Sequence, residues 1–561
     1  MKFRAAEGVL FAAAAERSLS PTRAFTLYGD SIMFLKILGS SLVAAGLLTS
    51  VGLAQAETVR WARSADVTTL DPHVFNTGTN FVLMHQMYET LVNRSADGKL
   101  VPTLATSWKL TSDPSVWEFK LRSGVKFHDG TPFTAKDVVF SLNRAKGPNA
   151  QVKSLLASVE SITAVDDLTV HVKTKGPNLI FPNNLTNLFI MSEEWAKKNN
   201  ATETQDATSK TENGATRAVN GTGPYTLASR EVDSRTVMKL NPNYWGKGSA
   251  PLEVTELVYL PIKSPATRVA ALLSVEVDFA QDIPAQDVAR LKQDSKLRIN
   301  EGPENRSIFL GLNVGSAELK TSNIKGKNPF ADPKVREAVE LAIDRDAIKR
   351  SVMRGLSNPS GIMAPSFVHG YDKAMAAYPK ADVNKAKALL KEAGYPDGFT
   401  VTLHSPNDRY VNDEAISTAI AGFLGRIGIK TEVVSRPIAQ HSVGIVKAES
   451  DFYLYGWGVP TYDSAYIFDF LVATRGKEGR GAQNATHYSN ADLDAKIISL
   501  SSESDKAKRD ATIKQIWDVV QKERFYIPIH DQVIHFASVK KINVPVHPDN
   551  AIHFKDVKFV K

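Results

Sequence analysis

The segment TVTLHSPNDRYVNDEAISTAIAGFLGRIGIKTEVV, residues 400–434, carries the clearest fold signal in this chain. It begins with a strand pattern, in which Val401 and Leu403 alternate with polar residues. Thr431–Val434 returns to a strand pattern. Between the two strands, apolar residues recur on one helical face, at Ile416, Ile420, Phe423, Leu424 and Ile427. A crossover of this length favours parallel pairing of the two strands, so the segment predicts a βαβ unit.

Strand and helix patterns also alternate elsewhere in the chain. Val116–Leu121 predicts a half-buried strand, and Ser161–Val172 predicts a hairpin. Asp332-Pro333 predicts a helix start, because an Asp can cap the helix and a Pro fits its first position. Val383–Ala393 predicts a further helix. This alternation indicates an α/β protein.

One stretch departs from these patterns. Asn199–Asn220 is rich in Asn, Thr, Ala and charged residues and poor in large apolar ones. We expect it to form an exposed, irregular loop.

Length and composition restrict the class of protein. With 561 residues the chain is long enough for roughly three to four domains of about 150 residues. It has no Cys, which excludes disulfides, thiolate metal sites and Cys nucleophiles. The formal net charge is +8, but there is no long block of Lys and Arg. Nucleic acid is therefore not predicted as a partner.

The N-terminal region has the pattern of a secretory signal. Phe34–Leu48 is a long apolar run with one positive charge near its head, and a small-residue cleavage site ends at Ala56. A transmembrane anchor is the alternative, but the run is short and interrupted by Gly and Ser. We expect cleavage after Ala56 and a mature protein that is soluble in the periplasm. Residues 1–32 fit no targeting pattern, and we expect Met33 to be the true start.

Motifs of catalysis and cofactor binding are missing from the sequence. It contains no HExxH, no GxSxG and no GxxxxGK[ST]. Gly221-Thr222-Gly223 is only part of a dinucleotide fingerprint, and His530 and His535 suit a core or surface strand better than a metal pair. We therefore predict no cofactor, no metal and no catalytic residues, and we expect the protein not to be an enzyme.

Several longer motifs occur in a fixed order along the mature chain. Residues 69–138 contain TLDPH, YETLV, PTLATSW and WEFKLRSGVKFHDGTPFTAKDV. Further along come NGTGPY (220–225), LNPNYW (240–245), VREA (335–338), GWG (456–458) and IPIH (527–530). This series closely resembles the signature of the family-5 solute-binding proteins of ABC importers, the peptide/nickel/opine group. The resemblance covers nearly all of residues 57–561.

Much of this signature also has a structural explanation. Gly124 and Asp129-Gly130 are typical of tight turns, and Thr134 with Asp137 three residues later resembles a capping box. We therefore assign no ligand contacts to residues 117–138.

The resemblance implies a type II periplasmic-binding-protein fold, with two α/β lobes, a hinge of two connections and an additional small domain. By motif order, the first lobe would comprise 57–100, 221–315 and 525–561. The additional domain would be 101–220, and the second lobe 316–524. The chain would cross between the lobes near 315 and near 525.

The resemblance also implies a function. The protein would capture a small polar solute between its lobes and deliver it to an inner-membrane ABC permease with its ATPase, most simply as a monomer. The solute would be peptide-like, opine-like or another conjugated compound. A periplasmic subunit that reports a ligand to a signalling receptor is one alternative, and an exported hydrolase is another.

Family resemblance also suggests residues that face the ligand. The loop with Asn76, Thr77 and Gly78 corresponds to a small polar loop that approaches the ligand, although an ordinary turn explains Gly78 equally well. Tyr259 matches a position that often faces the ligand, and core packing is its alternative. Trp457 matches a residue that lines the cleft in relatives.

Two departures from the peptide-binding pattern lie close to Trp457, one after it and one before it. Di- and oligopeptide binders carry an Asp three residues after this Trp, where it pairs with the peptide amine. This chain has Pro460 instead, which cannot pair with a cation. Asp463 is the candidate substitute. Leu454 also replaces a basic residue that some relatives have, so an unmodified di- or oligopeptide is not the expected ligand.

A polar loop inside the βαβ unit provides the last candidates. Residues 405–413 follow a strand and precede a helix, which is where ligands of α/β sheets bind. Arg409 can fork onto a carboxylate or phosphate, and Tyr410 can stack beside it. The alternative is that Asn412 or Asp413 caps the helix and Arg409 forms a surface ion pair.

Overall fold

The structure is a computed structural model that describes residues 57–206, 211–476 and 480–560. The N-terminal extension and signal peptide that the sequence predicts over 1–56 lie outside the described residues. Within the described ranges, no helix has the length and apolar character needed to cross a membrane.

Strands occur throughout the described chain. They are β1 (Thr58–Arg63), β2 (Val92–Arg94), β3 (Leu100–Pro102), β4 (Ala105–Leu110), β5 (Val116–Leu121), β6 (Val159–Asp166), β7 (Thr169–Thr174), β8 (Tyr225–Glu231), β9 (Arg235–Leu240), β10 (Glu256–Pro261), β11 (Phe279–Ala280), β12 (Leu297–Leu312), β13 (Ser357–Pro359), β14 (Phe399–Pro406), β15 (Ile429–Arg436), β16 (Phe452–Trp457), β17 (Tyr526–Val539), β18 (Ile542–Asn543) and β19 (Lys558–Phe559).

Helices alternate with these strands. They are α1 (Gly78–Met87), α2 (Ala135–Ala145), α3 (Phe181–Asn184), α4 (Glu193–Lys198), α5 (Pro265–Leu273), α6 (Ala285–Gln293), α7 (Pro333–Ala342), α8 (Arg345–Ala347), α9 (Val383–Glu392), α10 (Asp413–Gly425), α11 (Ile438–Val446), α12 (Ser464–Ile467), α13 (Ala491–Ser499) and α14 (Lys506–Glu523).

The largest sheet has 11 strands and a similar arrangement in each half. Its order is β15-β14-β16-β12-β17-β11-β1-β10-β9-β8, and β13 pairs with β17 beside this path. In one half β1 is parallel to β10 and β11, and in the other β14 is parallel to β15 and β16. The carboxyl ends of parallel strands meet at one edge, so each half has an edge at which loops can form a ligand site.

Two long strands, β12 and β17, connect the halves. Leu297–Pro303 of β12 pairs with the end of β17, whereas Ser307–Leu312 pairs with the start of β17 and with β16. The register shifts between Pro303 and Ser307. Residues 307–312 therefore pair with strands of the second half. The lobe boundaries near 315 and near 525 stay predictions.

Apolar side chains form separate cores in the two halves. Trp61 belongs to the core of the first half, and Leu403 and Leu454 belong to a core of the second. The first core continues into residues 101–220 through Phe119. The additional small domain thus shares its hydrophobic core with the first half.

The small domain is built on a four-stranded sheet of order β4-β5-β7-β6. Its predicted strand over Val116–Leu121 is β5, and the predicted hairpin is β6–β7. The predicted capping box at the start of α2 is also confirmed, because Asp137 Oδ2 accepts a hydrogen bond of 2.9 Å from the Thr134 backbone. Gly130 has φ of +89°, as a tight turn requires.

The local predictions for the second half are confirmed as well. Residues 399–436 form the parallel unit β14-α10-β15. Asp332 caps α7, accepting a hydrogen bond of 2.8 Å from the backbone of Lys334. The predicted helix over Val383–Ala393 is α9.

The described residues of segment 199–220, which are 199–206 and 211–220, contain no strand or α-helix, as predicted, but the expectation that they are exposed is wrong for some of them. Ala201 and Ala215 are buried. The reason is a buried ion pair, in which Arg144 Nη1 donates to Asp71 Oδ1 at 2.8 Å and Arg144 Nε donates to the Ala201 carbonyl at 2.8 Å. Residues 201–205 and Asn213 contact this ion pair and help to shield it from water.

Candidate functional site

A cavity of about 530 Å³ lies between loops from both halves of the large sheet. Its volume is within the range of about 300–1,000 Å³ typical of small-molecule sites. The residues that line it are Arg63, Asn76, Thr77, Gly78, Thr79, Phe81, Val82, His85, Asn187, Glu304, Arg306, Arg409, Asp549, Asn550 and Ala551. Polar side chains and backbone groups dominate this wall.

The first half contributes the end of β1 and the start of α1. Arg63 is the last residue of β1 and is only 8% exposed. Thr77 is the N-cap of α1 and makes no side-chain capping bond. A Cβ added to Gly78 would meet nothing within 4 Å, because this residue borders open space. The positive end of the α1 dipole therefore lies at the cavity wall.

The second half contributes the loop after β14. Asp413 Oδ2 accepts hydrogen bonds from the backbone N–H groups of Arg409 (3.1 Å) and Tyr410 (3.0 Å), which fixes the loop. The Tyr410 hydroxyl donates to the Gly456 carbonyl at 3.0 Å. A Cβ at Gly456 would lie 2.7 Å from the Tyr410 ring, so the GWG motif needs Gly there to seat this loop.

The register shift of β12 places charged side chains at the cavity between these two walls. Arg306 Nε donates to Glu304 Oε1 at 3.1 Å, and Glu304 Oε2 accepts from Gln532 at 2.5 Å. The Arg306 guanidinium lies 5.6 Å from the centre of the Tyr410 ring, and the Arg409 guanidinium lies 5.9 Å from it. One aromatic ring thus lies beside two cations.

The electrostatics of the cavity reflect this crowding of positive charge. Repulsion by Arg306, with a further effect of burial, lowers the pKa of Arg409. Burial alone would lower the pKa of Arg306, but Glu304 raises it. Burial lowers the pKa of His85 to about 4, against the opposing attraction of Asp549, so this His is neutral at pH 7.

Four of the residues predicted from the sequence line this one cavity: Asn76, Thr77, Gly78 and Arg409. They come from opposite halves of the molecule. The surface ion pair that was the alternative for Arg409 is absent among the described residues, and its guanidinium is left facing the cavity. Contact of these four residues with a ligand stays a prediction.

Tyr410 and Tyr259 lie behind the cavity wall. Tyr410 is buried below the two arginines and supports them. Tyr259 is fully buried, its ring lies 4.8 Å from that of Trp61, and its hydroxyl donates to the Ala65 carbonyl. This geometry agrees with core packing, the alternative for Tyr259, and we leave Tyr259 out of the candidate site.

Trp457 belongs to an aromatic cluster next to β16. It stacks on Tyr466 at 5.9 Å and lies 6.0 Å from Phe470 and 6.1 Å from Tyr455, measured between ring centres. Its Nε1 is buried without a hydrogen-bond partner among the described residues. Trp457 does not line the cavity, so its contact with a ligand remains a prediction that the described geometry does not support.

The structure places Asp463 away from the cavity. This residue is 4% exposed and caps α12. Its two oxygens accept from Arg509, at 2.8 Å each, and Oδ2 also contacts His369 Nδ1 at 2.8 Å. Both oxygens are therefore occupied within the fold, and this geometry does not support Asp463 as a substitute for the missing amine-pairing residue.

The described residues contain no group of three or more His, Asp or Glu side chains arranged to hold a metal ion. His530 and His535 occupy β17 as buried side chains. Burial lowers the pKa of His530 to about 3, and one ring nitrogen of His535 contacts the Ile283 carbonyl at 2.7 Å.

Sequence reasoning missed Arg63, Glu304, Arg306 and Asp549. Arg63 had a usable signal, since it ends a strand in which Val59 and Trp61 alternate with polar residues. Asp549 and the two charged residues of β12 had none, because only the tertiary fold brings these distant segments together.

The cavity lies at the strand ends of two lobes, and paired strands join these lobes. This arrangement is typical of two-lobed binding proteins with a type II fold. The chain matches the model of "Bacterial extracellular solute-binding proteins, family 5 Middle" over residues 99–479. It belongs to this family, whose members bind small solutes for ABC importers. The resemblance in the sequence is thereby confirmed.

Curated relatives extend the match over nearly the whole chain. The chain is 28% identical to the glutathione-binding protein GsiB of Pectobacterium atrosepticum over 531 residues, which cover 92% of this chain and 97% of the relative. GsiB of Shigella flexneri gives the same identity, with 92% and 98% covered.

Solved structures share the fold. HbpA2 of Haemophilus parasuis matches with a TM-score of 0.76 and 24% identity, covering 90% of this chain and 100% of the other. The binding protein AgaA of A. tumefaciens R10, in complex with agropinic acid, matches with a TM-score of 0.69 and 26% identity, covering 90% and 99%. The type II fold predicted from the sequence is confirmed.

Proposed function

We propose that this protein captures a small peptide-like or opine-like solute in the 530 Å³ cavity and releases it to an ABC permease. The observation that carries the proposal is that both halves of the molecule contribute residues to the cavity wall. Arg63 and the start of α1 come from one half of the molecule, and Arg409 comes from the other. A solute in this cavity touches both halves at once.

Contact with both halves links binding to closure. A ligand drives closure only by its greater affinity for the closed state. A shift from about 1% to about 99% closed requires roughly 5.5 kcal/mol of that difference. We propose that the halves move about the register shift of β12, near 303–307, and the facing part of β17, near 531–533. A few residues in such a hinge absorb the change in backbone angles.

The relatives support the choice of solute class. GsiB is named for glutathione, a peptide, and AgaA was solved with agropinic acid. Both ligands are small, polar and anionic, which matches a wall with three arginines. We further propose that the mature protein begins after Ala56, is periplasmic and acts as a monomer without catalysing a reaction.

A ligand screen tests this proposal. Purified protein lacking residues 1–56 is heated with glutathione, a dipeptide, an opine, a sugar or a nickel–histidine complex, and the unfolding midpoint is recorded. At a concentration of 100 times Kd a ligand stabilises the protein by about 2.7 kcal/mol. We expect stabilisation by glutathione or the opine and recovery of the solute unchanged. Recovery of a cleaved solute would instead support the exported hydrolase.

A further inference from the structure

The charges that line the cavity suggest how many ionic groups the solute carries. Three arginines and two carboxylates line it, and the neutral His85 adds no charge. The positive charge is divided between two places on the cavity wall. One place is formed by Arg306 and Arg409 beside Tyr410, and the other by Arg63 at the end of β1.

Arg306 and Arg409 form the first positive place. Of the Arg306 guanidinium nitrogens, Glu304 accepts a hydrogen bond from Nε, at 3.1 Å. No carboxylate among the described residues forms an ion pair with Arg409. Two guanidinium groups that repel each other beside one aromatic ring are stabilised when an anion bridges them. A carboxylate fits this position because guanidinium donors match its two oxygens.

Arg63 forms the second positive place. Its side chain is about nine-tenths buried, and its Nε and Nη1 have no hydrogen-bond partner among the described residues. Asp282 is its nearest carboxylate, at 3.5 Å from Nε, but the Oδ2 of Asp282 already accepts from the backbone and hydroxyl of Ser64. Buried guanidinium donors without acceptors are costly, so this position also favours an anion.

The start of α1 adds to the second place. The cavity wall includes Thr77, Gly78 and Thr79 at the positive end of this ten-residue helix. The helix end alone defines no site, but together with the two Arg63 nitrogens that lack a hydrogen bond it favours negative charge.

One acidic group faces the cavity from a third segment. Asp549 lies in the C-terminal segment after β18, and its Oδ1 accepts from the Ala551 backbone at 3.0 Å. Its Oδ2 makes no hydrogen bond to another described residue. A carboxylate oxygen on the cavity wall without a hydrogen-bond partner can bind an ammonium group.

We propose that the solute carries two separate carboxylates and one ammonium group: one carboxylate between Arg306 and Arg409, the other at Arg63, and the ammonium at Asp549. This inference rests on the proposed function and narrows it. It distinguishes peptides with a second carboxylate from ordinary neutral dipeptides, which carry only one.

Ligands that differ by one charge test the proposal. Glutathione has two carboxylates and one ammonium, its glycyl monoethyl ester lacks one carboxylate, and Ala-Ala has one of each group. We expect calorimetry to show glutathione binding at least about tenfold more tightly than the ester or Ala-Ala, because a charged hydrogen bond contributes about that factor or more. Equal affinity for glutathione and its ester would overturn the inference.

Two variants show which arginine binds which carboxylate of the solute. Arg409→Gln removes an exposed cation and leaves the core intact, and Arg63→Gln removes the buried one. Each is expected to weaken glutathione binding at least about tenfold. One of them should weaken binding of the ester by the same factor, and the other should leave it unchanged, because its carboxylate is already absent. Arg290→Gln, on the exposed surface of α6, is the matched control and should bind like the parent.

The outcomes separate this inference from the proposed function. The inference of two carboxylates is wrong if Ala-Ala or the ester binds as tightly as glutathione, or if both variants bind glutathione like the control. The protein would still be a solute-binding protein in either case. If none of the three ligands binds to the folded parent protein, both the inference and the peptide-like solute class are wrong. Thermal unfolding of each variant without ligand shows whether it is folded.

Discussion

Asp463 has the contacts of a residue that stabilises the fold. It is buried, bonded at two points to Arg509, and in contact with His369. Burial alone would raise the pKa of Asp463, but His369 and Arg509 lower it to about 2. The carboxylate is therefore charged wherever the protein is folded under ordinary conditions.

Asp463→Asn is expected to destabilise the protein strongly, because it leaves the buried Arg509 without its anion. Removal of one partner of a buried ion pair costs about 3–5 kcal/mol. Urea unfolding measures this loss, and Lys514→Ala, which removes an exposed ion pair with Asp518, serves as the control with a small effect. If Asp463→Asn kept its stability but no longer bound the solute, Asp463 would be a ligand residue after all.

His369 makes stability depend on pH in a direction that can be worked out. Its ring contacts Asp463 at 2.8 Å and Asp510 at 2.7 Å, and the hydrogen bond to Asp463 raises the pKa of His369 against the effect of burial. Because the pKa of His369 is higher in the folded state, protonation of this residue stabilises the protein at pH values below its unfolded-state pKa of about 6.5. This stabilisation is lost as the pH rises through the folded-state pKa.

Comparison of the parent with His369→Gln by urea unfolding, from pH 5 to pH 9, measures this contribution. We expect the parent to be more stable than the variant at pH 5 to 6, with the difference shrinking as the pH rises. A difference that grew with pH would contradict the charged state of His369.

At the level of secondary structure, β2 and β3 carry a contact between the two halves outside the cavity. Arg94, in β2, is buried and donates from Nη2 to the Pro460 carbonyl at 2.9 Å. Its guanidinium lies 3.8 Å from the centre of the Tyr462 ring. A Cβ at Gly98, in the turn after β2, would lie 2.9 Å from the same ring. This turn packs directly on the loop that follows β16.

We therefore expect Arg94→Ala to favour the open form and to weaken solute binding at least about tenfold, since one cation–π contact and one charged hydrogen bond are lost. Calorimetry measures the affinity. Arg122→Ala is the control, because Arg122 stacks on Trp245 at 4.3 Å between the small domain and the first half, away from the second half. Equal affinities of the parent and Arg94→Ala would show that this contact does not favour closure.

The secondary structure also shows what a sequence can predict. Asp332 and Lys334 at the start of α7 are two residues apart, and the βαβ unit 399–436 depends on apolar spacing within 40 residues. Such patterns are local and were predicted. Arg63 and Asp549 lie at opposite ends of the chain and share one cavity only through tertiary packing. The polar loops at 76–78 and 409 were predicted as candidate ligand contacts, because the ends of strands can be identified in a sequence. That the two loops share one cavity was not predicted.

For the whole molecule, the central claim is that two halves close on a solute. The large sheet continues through β12 and β17 from one half to the other, each half has hydrophobic cores of its own, and the cavity takes its wall from both halves. Motion of one half against the other therefore changes the cavity directly.

Small-angle X-ray scattering with and without saturating glutathione tests this claim most directly. The account predicts a smaller radius of gyration in the presence of glutathione and no such change for Arg409→Gln at the same concentration. A radius of gyration that stays constant while calorimetry shows glutathione bound would contradict closure of the two halves around the solute.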